Sequence, residues 1–344
     1  MRVLVVGAGA IGSLVGGRLA LADNPVTLVG REWLRQAIAA EGLTIVTGGR
    51  AQTVRALRVV TGVAEASPGD HDLIILTMKA YGVAAAVAEI ARVLPQPPPL
   101  LTLQNGIGSE TIVAARFGPE SVIAGTLTTP VEVAGPARIE TVSKGGIGLA
   151  PLAGTRPDPT AAAEALAAAG FVVARYAGAS AMKWSKLLLN IIGNATSAIL
   201  AWPPARIFAD PRLYAVELNA LAEARRVMAA HGIATVRLPG YPVPLLMMLL
   251  ERLPRAVTRP LMRRQVARGR GGKMPSLSLD LEAGREQLEI DVLNGAVVAA
   301  GAQAGVATPV NRALAEIVQG LAAGRLDRAR FRHNPEALLA SVHA

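Results

Sequence analysis

Arg2-Val3-Leu4-Val5-Val6-Gly7-Ala8-Gly9-Ala10-Ile11-Gly12 follows Met1. Arg2 to Val6 reads as a strand and Ile11 to Ala22 as a helix, so the three glycines fall in the turn between them. That is the setting in which G-x-G-x-x-G holds a dinucleotide. Gly7 permits the tight turn, Gly9 lets the backbone approach a pyrophosphate, and Gly12 lets helix pack closely on strand. Free N–H groups and the positive end of the helix dipole then face the phosphates. Gly7, Ala8, Gly9, Ala10, Ile11 and Gly12 are therefore the candidate cofactor-binding turn.

Val26 to Val29 reads as the second strand, and it ends in Gly30-Arg31. An Asp or Glu at this place would bind a ribose 2′-hydroxyl. A carboxylate repels a 2′-phosphate, whereas a guanidinium binds one bidentately. Arg31 therefore predicts NADP(H) over NAD(H). Glu32 would serve the hydroxyl instead if the strand ended two residues later.

Leu73 to Thr77 and Leu100 to Leu103 read as further buried strands, and Ala161 to Ala169 as a strong helix. Strands alternating with helices imply a parallel sheet. Val122 to Ile147, β-branched with interspersed glycines, reads as hairpin-like strands closing that sheet. The pattern changes near Gly178. Beyond it, Ser185 to Ala201, Pro211 to His231, Leu279 to Ala304 and Val310 to Ala322 read as helices, punctuated by Pro203-Pro204 and Pro239 to Pro244. The expected fold class is an α/β Rossmann-type domain over residues 1–178 followed by an all-α domain over residues 179–344, with the active site in the cleft between them.

The 344 residues suit two domains. The absence of cysteine excludes disulfides, thiolate metal sites and cysteine nucleophiles, and no metal is expected. No apolar run of about 18 residues occurs, so no membrane span is expected. The glycines of the N-terminal apolar run argue against a signal peptide, and a cytoplasmic location is expected. The net charge is +10, concentrated in Arg252, Arg255, Arg259, Arg263, Arg264, Arg268, Arg270 and Lys273. With four Phe and four Tyr there is little aromatic surface for stacking bases, and nucleic acid is not an expected partner. A solvated basic helix face is the simplest reading of the cluster.

Lys79 and Asn105 follow two of the buried strands, where open α/β sheets bind ligands. Asn105-Gly106 is also an ordinary turn dipeptide. Lys186, Asn190 and Asn194 recur at i, i+4 and i+8, which puts them on one helix face. Among Leu187, Leu188, Leu189, Ile191 and Ile192 they form either a solvent-facing stripe or a polar site with a lysine fit for acid/base work. Ser276 is a candidate helix cap. Asp280, Glu282, Glu289 and Asp291 could line a solvated face.

Taken in order, Gly7 to Gly12, Arg31, Met78-Lys79-Ala80, Gln104 to Gly108, Lys186 to Asn194, Pro275 to Asp280, Glu289 to Asp291, Leu293-Asn294-Gly295 and Thr308 to Asn311 make the chain resemble the ketopantoate reductase (2-dehydropantoate 2-reductase) family over nearly its whole length. The resemblance implies NADPH-dependent reduction of ketopantoate to (R)-pantoate in pantothenate biosynthesis, by hydride transfer to the C2 carbonyl. It assigns Lys186 as proton donor and Glu289 as the acid that orients substrate. It assigns Asn105, Asn190, Asn194 and Ser276 to the substrate, and Lys79 and Asn105 to the cofactor–substrate junction. Two alternatives stay open: reduction of another 2-oxo acid on the same scaffold, and a non-catalytic NADP-binding sensor.

The chain departs from the family pattern in three respects. One residue more separates Ser276 from Glu289, which on a regular helix would turn Glu289 by about 100° and leave Glu286 as the alternative. Residues 238–272 look like an enlarged insertion, fit to cover the cleft, to make a homodimer contact or to touch lipid, although membrane contact is not expected. The chain is also longer than the family's compact members.

Overall fold

The computed structural model describes residues 1–142, 144–152, 154, 156–270 and 274–343. The chain divides into two compact units. The first comprises Met1–Gln104, Gly108–Lys183 and Arg237–Tyr241; the second comprises Asn105–Ile107, Trp184–Val236 and Pro242–Ala344.

The first unit is α/β. Its strands are β1 (Val3–Val6), β2 (Val26–Val29), β3 (Leu43–Thr47), β4 (Arg50–Val54), β5 (Arg58–Val60), β6 (Leu73–Leu76), β7 (Leu100–Thr102), β8 (Val122–Leu127), β9 (Val131–Gly135), β10 (Arg138–Thr141), β11 (Ile147–Pro151) and β12 (Val173–Arg175). Its helices are α1 (Ala10–Leu21), α2 (Glu32–Glu41), α3 (Val83–Val93), α4 (Ser109–Phe117) and α5 (Thr160–Ala168). Eight strands form one sheet in the order β5-β2-β1-β6-β7-β8-β11-β12, parallel except where β11 meets β8. The sheet is apolar on both sides, as a parallel sheet covered by helices must be. Val3 and Val5 of β1 join one core with Leu14 and Leu28, while Leu4 and Val6 join another with Val87 and Ile90. The chain runs from β1 to β2 on one side and returns to β6 on the other. The C-terminal end of β1 is thus a topological switch point, where such sheets bind ligands.

The expectation that residues 122–147 all close this sheet is corrected. Only β8 and β11 pair within it; β9 and β10 leave to form a second, four-stranded sheet in the order β4-β3-β10-β9.

The second unit is helical. α6 (Ala179–Ile191) begins in the first unit and continues into the second; α7 (Ala195–Leu200), α8 (Pro204–Ile207), α9 (Pro211–Ala230), α10 (Val243–Arg252), α11 (Arg255–Arg270), α12 (Ser276–Glu282), α13 (Asn294–Gln303), α14 (Pro309–Ala322), α15 (Arg328–Phe331) and α16 (Pro335–His343) follow. The wholly buried α7 lies at its centre, against α12, α14, α15 and α16. No described helix is long and apolar enough to cross a membrane.

Two helices expected to be continuous are broken. The helix expected over 185–201 stops at Ile191 and restarts at Ala195, with Gly193 at φ +62° between the two pieces. The Glu217 carboxylate, buried on α9, receives the Gly193 N–H at 2.6 Å and the Thr196 hydroxyl at 2.5 Å. The freed backbone at the break is thereby satisfied, as burial requires. The helix expected over 279–304 ends at Glu282, with Gly284 at φ +68°, and α13 starts only at Asn294.

Of the basic cluster, Arg252, Arg255, Arg263 and Arg264 are exposed along α10 and α11, while half-buried Arg259 donates to the Ala209 carbonyl at 2.7 Å. Lys273 lies outside the described residues.

Candidate active site

The glycine turn has the shape a dinucleotide needs. Gly7, at φ +101°, passes so close to Met78 that a Cβ would lie 2.6 Å from its backbone nitrogen. A Cβ on Gly12 would lie 2.5 Å from the Gly7 carbonyl oxygen and 2.6 Å from Thr77 Oγ1. A Cβ on Gly9 would meet nothing within 4 Å. So Gly7 and Gly12 are glycines because protein packs against them. Gly9 faces open space, where a pyrophosphate could meet bare backbone. Thr77, which sequence reasoning passed over, fastens the turn: its hydroxyl donates to the carbonyls of Val6 at 3.1 Å and Gly7 at 2.7 Å. The residues present therefore fit a dinucleotide.

Beside this turn, the N–H groups of Gly7 and Ala8 donate to the Val29 carbonyl at 3.1 and 2.9 Å, binding the end of β2 to it. Arg31 is exposed at the N-cap of α2, two residues beyond β2. Glu32 is engaged within its own helix, accepting from Arg35 at 2.7 and 2.5 Å and from Gln36 at 2.9 Å. The Arg35 guanidinium, and then Gln36, hold its carboxyl below the ordinary carboxylate range. Half-buried Lys79 stands just beyond β6, and its carbonyl accepts from the Gly82 N–H at 2.9 Å. Gln104, at the end of β7, donates to the Met78 carbonyl at 3.2 Å, so the ends of β6 and β7 are tied together.

In the second unit the structure joins residues far apart in sequence. Asn190, on α6 one turn after Lys186, donates to the Asn105 carboxamide oxygen at 3.2 Å. The next two residues of that turn dock on Val292. The Ile107 N–H donates to the Val292 carbonyl at 2.9 Å, and Gly106, at φ +81°, packs so tightly there that any Cβ would collide with that oxygen. The Asn105-Gly106 turn is thus fixed between α6 and the segment carrying Glu289.

The stripe Lys186, Asn190, Asn194 is corrected. Lys186 and Asn190 share α6, but Asn194 lies past the helix break at the cap of α7. It is buried, and its side-chain oxygen has no hydrogen-bond partner among the described residues. Glu289 is also placed differently from the expectation. It sits in the loop between α12 and α13, so a turn of about 100° about a helix axis does not apply to it. Glu289 is 5% exposed, whereas Glu286 is exposed to solvent. Ser276 is exposed at the start of α12; Pro275 holds the cap position and makes no side-chain capping bond. No hydrogen bond joins Ser276 to the Asn105 group among the described residues. No group of three or more His, Cys, Asp or Glu able to hold a metal occurs among them either.

One buried charge was missed from sequence. Lys183 lies one turn before Lys186 on α6 and pairs with Glu110 at 2.8 Å.

Comparison with known proteins gives the family. Residues 3–154 match the model described as ketopantoate reductase PanE/ApbA, and residues 179–322 match its C-terminal counterpart. The chain belongs to the ketopantoate reductase family. It is thereby an oxidoreductase, and the family works with a nicotinamide cofactor. Among its relatives is a 2-dehydropantoate 2-reductase of Halobacterium salinarum, 29% identical over 322 residues that cover 93% of this chain and 98% of the relative. A ketopantoate reductase structure from Ralstonia eutropha JMP134 is 27% identical, with a TM-score of 0.78 over 94% of this chain and 99% of that one. A D-mandelate dehydrogenase, solved with NADH and anilino(oxo)acetate, is 25% identical, with a TM-score of 0.77 over 94% of this chain and 99% of that one.

Proposed function

We propose that this chain reduces ketopantoate to (R)-pantoate with NADPH, taking one proton from solvent through Lys186. The observation that carries the reading is the Asn190–Asn105 hydrogen bond, one helical turn from Lys186 in a chain of the ketopantoate reductase family. Gly7 to Gly12 would hold the pyrophosphate, Arg31 the 2′-phosphate, and Lys79 and Asn105 the nicotinamide end. When bound, the cofactor supplies a hydride to the C2 carbon of the substrate. Negative charge then develops on the carbonyl oxygen, and a positioned ammonium both stabilises it and gives up a proton. Lys186 fills that role. Asn190 and Asn194 orient the substrate, Glu289 holds its hydroxyl and Ser276 stands at its carboxylate, as in the family. The kinship with a D-mandelate dehydrogenase favours a second reading, in which the natural substrate is a different 2-oxo acid and the residue roles are unchanged.

The deciding experiment follows NADPH and NADH oxidation by the purified protein with ketopantoate beside a panel of other 2-oxo acids. Efficient turnover of ketopantoate with NADPH supports the assignment. Preference for another 2-oxo acid keeps the mechanism and replaces the substrate. NADPH binding without turnover of any of them points to a substrate outside the panel or to the non-catalytic reading. In the same assay, Arg31→Ala should raise KM for NADPH about ten- to a hundredfold, the worth of a charge-assisted hydrogen-bonded pair, and leave KM for NADH nearly unchanged. Equal changes for both cofactors would mean that Arg31 does not read the 2′-phosphate.

A further inference from the structure

The Lys183–Glu110 pair has no part in the reaction as assigned. Both side chains are buried, 5% and 7% exposed. Taking two charges out of water costs more than their attraction returns unless their other hydrogen-bonding positions are filled. Here they are. The Lys183 ammonium has three acceptors: Glu110 Oε1 at 2.8 Å, the Gln104 carbonyl at 2.8 Å and the Gly125 carbonyl at 3.4 Å. The Thr102 hydroxyl donates to the same Glu110 oxygen at 2.7 Å.

The Gln104 bond has a consequence beyond stability. The chain leaves the first unit after Gln104, entering the second at Asn105, and leaves it again after Lys183, entering the second at Trp184. One hydrogen bond therefore joins the two residues from which the chain departs toward Asn105 and toward Lys186. A buried apolar pair of similar volume could match an ion pair in stability. It could not hold a backbone carbonyl.

We propose that Lys183, seated by Glu110, is a positioning residue: it fixes the Gln104 carbonyl to α6, so that Asn105 is presented beside Asn190 and Lys186. The proposal rests on the catalytic reading above for its kinetic consequence, but its structural consequence stands apart from it.

The test compares the wild-type chain with Lys183→Met/Glu110→Leu and with Lys183→Arg. Hydrogen exchange at the Ile107 amide, which the Val292 carbonyl holds at 2.9 Å, reports the turn directly. In the double variant it should speed up about tenfold or more while amides of β6 keep their protection. In steady state kcat should fall about tenfold with KM for NADPH unchanged, and Lys183→Arg should recover part of both effects. Unchanged Ile107 protection in a folded double variant overturns the proposal. So does a loss of activity that tracks global stability and appears equally in kcat and in KM for NADPH. Should the double variant fail to fold, Glu110→Gln, which removes the counter-charge that seats the ammonium without changing shape, carries the same two readouts. If the wild type reduces no 2-oxo acid, the catalytic assignment fails, while the exchange experiment still decides the positioning role.

Discussion

Replacing Lys186 with alanine should lower kcat for ketopantoate reduction about a thousandfold while leaving the Kd for NADPH unchanged. The size follows from the two tasks given to one ammonium. Hydride arriving at C2 leaves an alkoxide on the neighbouring oxygen, and in a site shielded from water that charge needs both a cation and a proton. α6 holds Lys186 half-buried, one turn from an Asn190 that is itself fixed to Asn105. A fixed cation pays no reorganisation cost as the charge forms. Lys186→Arg separates the tasks. Its guanidinium keeps the charge but gives up no proton near neutrality. It should recover about tenfold over alanine, leaving a deficit of about a hundredfold, within the range that proton transfer alone contributes. Single-turnover loss of NADPH absorbance reads both variants. Alanine within threefold of wild type would place the proton donor elsewhere and sink the assignment.

The parts of this molecule that were legible in the sequence are those whose cause is local. The strand Val3–Val6, the turn Gly7 to Gly12 and helix α1 are specified by about twenty consecutive residues, and they fold as read. Failures begin where the deciding partner is distant. β9 and β10 read as strands of the main sheet, but they pair with each other, and β10 pairs with β3, roughly a hundred residues earlier; no periodicity records which edge a strand will choose. Gly193 and Gly284 each sit in a helix-like run, where a lone glycine is usually tolerated. Both take positive φ, and the first break is secured by Glu217, 24 residues away in sequence. For the same reason the equal spacing of Lys186, Asn190 and Asn194 misled: the spacing is helical but the helix stops between the second and the third. Lys183 stood in plain view one turn from Lys186. Its meaning lies in Gln104 and Glu110, which are 79 and 73 residues earlier by chain number.

A valine at Gly9 should weaken NADPH binding severely in a chain that still folds as the wild type does, whereas a valine at Gly12 should strongly destabilise the fold. The two glycines belong to one motif, and the difference is a matter of what surrounds them. Gly9 has φ −82°, a value open to any residue, and an added Cβ meets nothing within 4 Å. Unfolding temperature should therefore stay near that of the wild type. The branched side chain would instead occupy the space needed by the pyrophosphate and break one or two of its hydrogen bonds to backbone N–H groups. At about 1.5–3 kcal/mol for each bond to a charged group, affinity falls about a hundredfold or more. At Gly12 the added carbon strikes the Gly7 carbonyl at 2.5 Å and Thr77 Oγ1 at 2.6 Å. Neither can withdraw, because Thr77 is bonded to the Gly7 and Val6 carbonyls and the Val29 carbonyl holds the turn. Overpacking of this kind costs about 3 kcal/mol or more, a large share of a domain's net stability. Fluorescence titration with NADPH and thermal unfolding monitored by circular dichroism measure both variants. If Gly9→Val bound NADPH like the wild type, the turn would be a structural glycine corner and the cofactor would have to be held elsewhere on the sheet. If Gly9→Val failed to fold, the open space at that position would not be what makes glycine necessary there.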